Sequence, residues 1–523
     1  MNAHLMYRDR DLDLQAEMPI NAQDLVSDLE LEILFRTMAQ GDKLVFQLAR
    51  QMILSPLTER EAITYRQDVL TDCLENPSVV RQIYELASAT VYAERRVWGP
   101  LVDSPGSILR RSVDVLEIFV GSLKRLRNIC DGQVDNFRSE GFLRFFAMVA
   151  KELDDDYIRT IEKHLRELQF RRGVLISAQL STGNAATNHV LRRVPVRSLR
   201  QSISRFDRSR LSYQVDSRDD AGLRALDDLR SKGINLVANA LAQSADHIQS
   251  FFAMLMAELA FYVGGLNLHE QLAAKGEPTC FPDPQQAAGA EFSVEGLYDP
   301  CLSLLLEGRA IGNDVNADDR WLVMITGANQ GGKSTFLRSV GVAQLMMQSG
   351  MFVPAKSFRA NICEGVFTHF KREEDPSMKS GKLDEELGRM SEIASSVTPN
   401  CIVLCNESFA STNEREGSEI ARQVIRALTD ARVKVLFVTH LFELAHGLFT
   451  EHLDTALFLR AERLADGRRT LRLVEGEPLP TSYGEDSYRR IFAPPPPAPG
   501  EPARSSLQLH SVRRECPLPE SRT

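Results

Sequence analysis

Gly327, Gly332, Lys333 and Ser334 stand at the GxxxxGK(S/T) spacing with which a chain wraps phosphate groups. Glycines let backbone N–H groups close around anionic oxygens, and the start of the following helix adds a positive end. A lysine in this position reaches the outer phosphates, and a serine hydroxyl can ligate magnesium. Ala328, Asn329, Gln330, Gly331 and Thr335 complete the loop, so Gly327 to Thr335 is the expected ATP-binding set. The apolar run Trp321 to Thr326 before it reads as a strand and Lys333 to Ser349 after it as a helix, the context such a loop requires.

A second apolar run, Cys401 to Cys405, ends in Asn406 and Glu407 and has the form of a Walker B strand. At such a tip one carboxylate normally orients magnesium through water, and the next positions or activates the attacking water. Here the first is an amide. Asn406 can still hydrogen-bond a metal-bound water but brings no charge, so weaker magnesium retention and slow turnover are expected. Glu407 remains as the candidate base, and Ser334, Asn406 and Glu407 form the expected magnesium set. The plainer alternative for Glu407 is a solvated acid capping a strand.

The elements around these residues divide the chain. Its 523 residues suffice for two to four domains, and 43% hydrophobic with 25% charged residues is the composition of a folded globular protein. From Leu25 to about Leu272 apolar residues recur at helical spacing, as in Leu116, Val120, Leu123 and Leu126. Between Gly173 and Val215 the pattern changes. Val174, Ile176, Ala178 and Leu180 alternate as in a strand, and Ser181 to Asn184 read as a turn, so a small insertion between helices is expected. A Pro, Gly and Ala-rich stretch, Gly276 to Ala290, reads as a linker. Beyond it strands alternate with helices (Cys401 to Cys405, Gly417 to Ala431, Val433 to Thr439), which argues for a largely parallel sheet covered on both faces. Pro494 to Pro497 open a tail poor in large apolar residues, expected to be disordered.

Phe251 to Leu266 is the most apolar helical stretch, but it is short and carries Glu258, so it reads as core and no membrane association is expected. The N-terminus lacks the basic start and apolar run of a secretory signal, which points to an intracellular protein. Eight cysteines include no CxxC pair, which speaks against a zinc or disulfide framework. The net charge of −9 hides a local reversal: Arg171 to Arg210 hold nine arginines, no lysine and one acid, Asp207. Arg192, Arg193, Arg197 and Arg200 are the candidate contacts to DNA phosphates, without aromatic residues for base stacking. The alternative is a solvated basic loop paired with acidic helix faces.

Ile325 to Thr335 resembles the phosphate loop of the MutS family, with Asn329 and the closing Lys333 to Thr335 in the family's places. Further matches follow in order: Asn313 and Asp314 upstream, Phe352 to Ala355, Phe367 and Thr368 before an acidic turn at Glu373 to Asp375, Glu407 ten residues before Gly417, Thr439 and His440 before Phe442 to Leu444, and Ser482 to Gly484. Leu54 to Ile63, Arg66, Val69 and Leu70 resemble the start of the family's core and lever helices.

The resemblance implies an α plus α/β protein. It would comprise an N-terminal segment (1–24), a helical core and lever domain (25–275) with a basic clamp-like insertion at about 165–235, a linker (276–290), a P-loop ATPase domain (291–493) and a tail (494–523). It implies ATP and magnesium as ligands, DNA as partner, and a homodimer joined through the ATPase domains, in which a signature loop of one subunit completes the other's phosphate site. The matching segment is Ser380 to Met390, where Ser380 or Gly381 would stand in for the usual serine. His440 would sense the γ-phosphate. No Phe-x-Glu wedge occurs near the N-terminus and nothing before Leu25 has room for a mismatch-reading domain, so a role in DNA repair or recombination without the usual mismatch reading is expected. Because Asn406 departs from the family pattern, a nucleotide-gated interaction protein with little turnover and no DNA role stays open, as does a subunit acting on protein partners only.

Overall fold

The computed structural model describes residues 1–97, 104–171, 173–183, 185–194, 213–286, 289–372 and 381–480. Ser380, Arg197, Arg200, the acidic turn at Glu373 to Asp375, Ser482 to Gly484 and the 494–523 tail lie outside the described residues.

The first half is helical: α1 (Ala22–Asp28), α2 (Leu31–Ala39), α3 (Lys43–Leu54), α4 (Arg60–Glu75), α5 (Pro77–Val97), α6 (Pro105–Asp131), α7 (Glu140–Glu152) and α8 (Asp155–Leu168). Side-chain caps start several of them. Asp42 accepts from Leu44 and Val45 N–H at α3, Ser104 precedes Pro105 at α6, and Ser139 and Asp154 cap α7 and α8. A hairpin follows, β1 (Leu175–Leu180) antiparallel to β2 (Ala186–Arg192). Then comes α9 (Asp220–Ala274), 55 residues and therefore about 80 Å long at 1.5 Å per residue.

The two ends of α9 differ. From Ala245 to Leu272 it is buried beneath α2, α3, α5 and α6, while Asp220 to Ser244 is mostly exposed apart from a stripe at Gly233, Ile234 and Ala238. The hairpin lies on that stripe so closely that a Cβ on Gly233 would come within 2.4 Å of Ile176 Cδ1. Thus the outer part of α9, which follows the Gly173 to Val215 stretch in the chain, is the surface on which the hairpin packs. Among the described residues α9 is the one helix long and apolar enough to cross a membrane, but 83% of its apolar 18-residue window is buried within the structure, as in a core helix.

The second half contains β3 (Asp283–Gln285), β4 (Phe292–Leu297), α10 (Pro300–Leu305), β5 (Asn313–Asn316), β6 (Leu322–Thr326), α11 (Lys333–Gln348), β7 (Ser357–Asn361), β8 (Val366–Phe370), α12 (Lys382–Ser396), β9 (Ile402–Asn406), α13 (Glu414–Asp430), β10 (Lys434–Val438), α14 (Phe442–Thr450), β11 (Ala456–Arg463) and β12 (Arg469–Glu475). The main sheet runs β12-β11-β6-β10-β9-β8, parallel except for β12 at its edge. Its central strands β6, β9 and β10 are almost wholly apolar because alternate residues enter different cores. Val323 and Ile325 face α11, whereas Leu322 and Met324 face α12, α13 and α14. The α11 side is continuous with the core of the helical half.

A smaller sheet, β3-β7-β4-β5, corrects the expectation of a plain linker at 276–290. Asp283–Gln285 pairs in parallel with Arg359–Asn361, and Cys280 bridges Val353. Local composition suggests a tether, but the hydrogen-bonding partners come from a distant part of the chain. The N-terminal segment is equally engaged: Ala3, Leu5, Met6 and Leu12 are buried in the helical core.

Candidate nucleotide site

The loop between β6 and α11 begins at Gly327 (φ +109°) and ends at Gly332 (φ +88°), left-handed conformations that favour glycine. The β11–β12 hairpin packs on it. A Cβ on Gly327 would sit 2.8 Å from Ala461 N, and one on Gly332 2.9 Å from the Leu471 carbonyl oxygen. Arg469 on β12 donates to Gln330 Oε1 at 3.2 Å, and Asn313 Oδ1 accepts from Leu473 N–H at 2.7 Å, holding β12 in place. Asn313 therefore acts on the hairpin that backs the loop.

Lys333 opens α11 and folds back over the loop. Its Nζ donates to the carbonyl oxygens of Gly327 at 2.8 Å and Ala328 at 3.0 Å. Burial lowers the lysine's pKa, and the charge of Glu407 opposes that shift. Ser334 Oγ donates to Asn406 Oδ1 at 2.8 Å, so the start of α11 and the tip of β9 meet. Glu407 follows with φ +55°, its N–H bonded to the Val438 carbonyl at 2.9 Å. His440, just past β10, places Nδ1 3.8 Å from Glu407 Oε1. The His440 ring beside it, aided by Lys333 and Lys371, holds the Glu407 carboxyl below its usual pKa despite partial burial. It is ionised at neutral pH.

These groups converge at the carboxyl ends of β6, β9 and β10, the place where open parallel sheets bind ligands. The tight glycine loop, the lysine and the start of α11 fit a polyphosphate. Ser334 Oγ, Asn406 Oδ1 and the Glu407 carboxylate are hard oxygen donors that fit magnesium. The P-loop helix is also tied to the helical half, since Arg338 pairs with Asp299 at 3.0 Å and with Glu30.

The MutS domain V family model matches residues 323–495, and the MutS2 N-terminal domain model matches 58–275. The chain belongs to the MutS family. It is 24% identical over 557 residues to the DNA mismatch repair protein MutS of Chlorobaculum parvum, covering 94% of this chain and 60% of that protein. To the same-named protein of Desulfosudis oleivorans it is 29% identical over 281 residues, covering 50% and 30%. The Clostridium botulinum protein is 35% identical over 156 residues, covering 29% and 17%. The chain thus spans from about one sixth to three fifths of the length of these MutS proteins.

Within this MutS chain the remaining expected residues are spread apart. Gly381 is exposed at the start of α12. Arg192 ends β2, its Nε donating to Ser177 Oγ at 2.9 Å, and Arg193 pairs with Glu167 at the end of α8. Neither arginine adjoins the nucleotide site. The sequence reading missed Ser408 and His369, buried directly behind Glu407. The available signals were the position of Ser408 right after Glu407 and that of His369 right after Phe367 and Thr368.

Proposed function

We propose that this MutS-family chain binds ATP and magnesium on Gly327 to Thr335, hydrolyses ATP slowly, and couples nucleotide occupancy to a DNA-contacting arm formed by the β1–β2 hairpin and outer α9. The observation that carries the reading is the 2.8 Å bond from Ser334 to Asn406, which brings the phosphate loop and the β9 tip into one site beside Lys333 and Glu407. Ser334 and Asn406 would hold magnesium, which when bound would offset negative charge on the phosphate oxygens. Lys333 exchanges its two loop carbonyls for outer phosphate oxygens. The ionised Glu407 accepts a proton from the attacking water, and the adjacent His440 stabilises its charge and faces the terminal phosphate.

Asn406 adds no charge to the metal set, which is the reason for expecting slow turnover. With Gly381 exposed at the start of α12, His440 exposed and Glu407 only partly buried, a second subunit would reach the site through its Ser380 to Met390 segment, as a homodimer joined by its ATPase halves requires. Arg192 and Arg193 on the arm, together with Arg197 and Arg200, which lie outside the described residues, would contact backbone phosphates independently of sequence. The cellular role would be intracellular DNA repair or recombination without the usual mismatch reading. The intramolecular partners of Arg192 and Arg193 favour a second reading, a nucleotide-gated interaction protein with no DNA role.

The deciding experiment measures ATP binding and turnover for the wild type and Glu407→Gln, with and without duplex or branched DNA. Expected are ATP affinity retained in the variant, hydrolysis reduced about 100-fold or more, and wild-type turnover that responds to DNA. Unchanged hydrolysis in Glu407→Gln would refute Glu407 as the base. Turnover indifferent to every DNA form, together with no DNA binding at low salt, would select the second reading.

A further inference from the structure

Glu407 sits in a turn that cannot hold its shape on local preference alone. Glu407 and Phe409 have φ values of +55° and +62°, a left-handed region in which a non-glycine residue is strained. Something outside the turn must fix it. One restraint is the hydrogen bond of Glu407 N–H to the Val438 carbonyl. Burial of Phe409 is a second, and three further contacts converge on one side chain, His369 near the end of β8.

His369 is fully buried. Its Nδ1 lies 2.7 Å from Ser408 Oγ, its Nε2 lies 3.0 Å from the Glu386 carbonyl oxygen on α12, and its ring stacks on Phe409 with centroids 5.5 Å apart and planes at 27°. Ser408 Oγ also lies 2.9 Å from the His369 carbonyl oxygen. Hydrogen-bond roles follow from these partners. A carbonyl oxygen only accepts, so Nε2 carries a hydrogen toward Glu386. Burial lowers the ring's pKa to about 4, so the ring is neutral at pH 7 and Nδ1 is an acceptor. The Ser408 hydroxyl then serves Nδ1 and the His369 carbonyl with its single proton. The imidazole is thus a strut with fixed ends, one on the residue after the base and the other on α12 at Glu386, within the Ser380 to Met390 segment.

We propose that His369 is the positioning residue for Glu407: through Ser408 and Phe409 it fixes the turn that aims the carboxylate, and through the Glu386 carbonyl it ties that turn to α12. The proposal rests on the reading of Glu407 as the base. A displacement of α12 would act on Glu407 through this strut without touching Lys333 or the loop glycines.

The test uses the full chain and single-turnover ATP hydrolysis, with ATP Kd and Tm measured on the same preparations. His369→Phe keeps a stacking ring and removes both nitrogens; Ser408→Ala removes the hydroxyl; His369→Asn keeps an acceptor where Nδ1 was. Expected are about 10- to 100-fold lower rates for the first two at an ATP Kd within about twofold of wild type, and a recovery of about half the logarithmic loss in His369→Asn. Adding His369→Phe to Glu407→Gln should lower the rate no further, because the two residues act as a unit. A merely structural histidine would instead lower rate and ATP affinity together and add to the Glu407→Gln effect, and either result overturns the proposal, as would wild-type rates in both His369→Phe and Ser408→Ala. If His369→Phe fails to fold, Ser408→Ala decides. Wild-type hydrolysis in Glu407→Gln alone would instead remove the underlying reading of the base.

Discussion

The nucleotide end of the sheet and the outer half of α9 are built by opposite means. Around Lys333 each group is held by close approach: left-handed glycines, the β11–β12 hairpin against the loop, and a serine on the β9 tip. The outer half of α9 is mostly solvent-exposed, steadied by the hairpin over Gly233 and by a small cluster of Leu109, Ile234 and Ala238. The first region can recognise a ligand through geometry fixed to tenths of an ångström. The second presents its side chains to solvent, next to the hairpin whose end carries Arg192 and Arg193. Single substitutions should therefore act strongly in the first region and weakly in the second.

The largest effect is expected from Lys333→Ala. It removes the buried ammonium proposed to take the outer phosphates, and ATP affinity should fall about 100-fold or more, since a lost charge-assisted contact in a buried site costs about 3 kcal/mol. Isothermal titration with a non-hydrolysable analogue checks this. Wild-type affinity would mean that the loop does not hold phosphate.

The root of α9 lies between the two extremes. Glu258 is fully buried there, accepts from Leu5 N–H at 2.7 Å, and has its pKa raised by burial to about 7 from a usual 4.5. A carboxyl whose folded pKa is raised contributes stability that is present below the unfolded pKa and lost as pH rises through the folded one, here between about 4.5 and 7. Glu258→Gln stays neutral throughout. Relative to wild type it should gain about 1–3 kcal/mol at pH 8 and little or nothing at pH 5. Melting curves at the two pH values read the difference, and a constant offset would show that ionisation of Glu258 is not felt.

The smallest single-site effects belong to the arm. Replacing both Arg192 and Arg193 by Ala should flatten the salt dependence of DNA binding by up to about two units of slope, roughly 0.9 per lost phosphate contact, and leave ATP affinity unchanged. An unaltered slope would mean that Ser177 and Glu167 are their whole purpose.

Local pattern and spacing encode the elements that the chain announces residue by residue. The order of strand, glycine loop and helix at Leu322–Gln348, the strand that ends at Asn406 before Glu407, the helical first half, and the first strand and turn after α8 all follow from apolar period and turn residues. Tertiary structure decided what long-range pairing creates. The apparent linker became a strand because Ser357–Asn361 offers it an edge. The lever proved to be one 55-residue helix, although its outer half has only a narrow apolar stripe to announce it. Glu258 finds its donor 253 residues away, and His369 meets Ser408 across 39. No residue type or local spacing specifies such contacts, because they exist only once packing has excluded water and left each buried polar group a single partner to find.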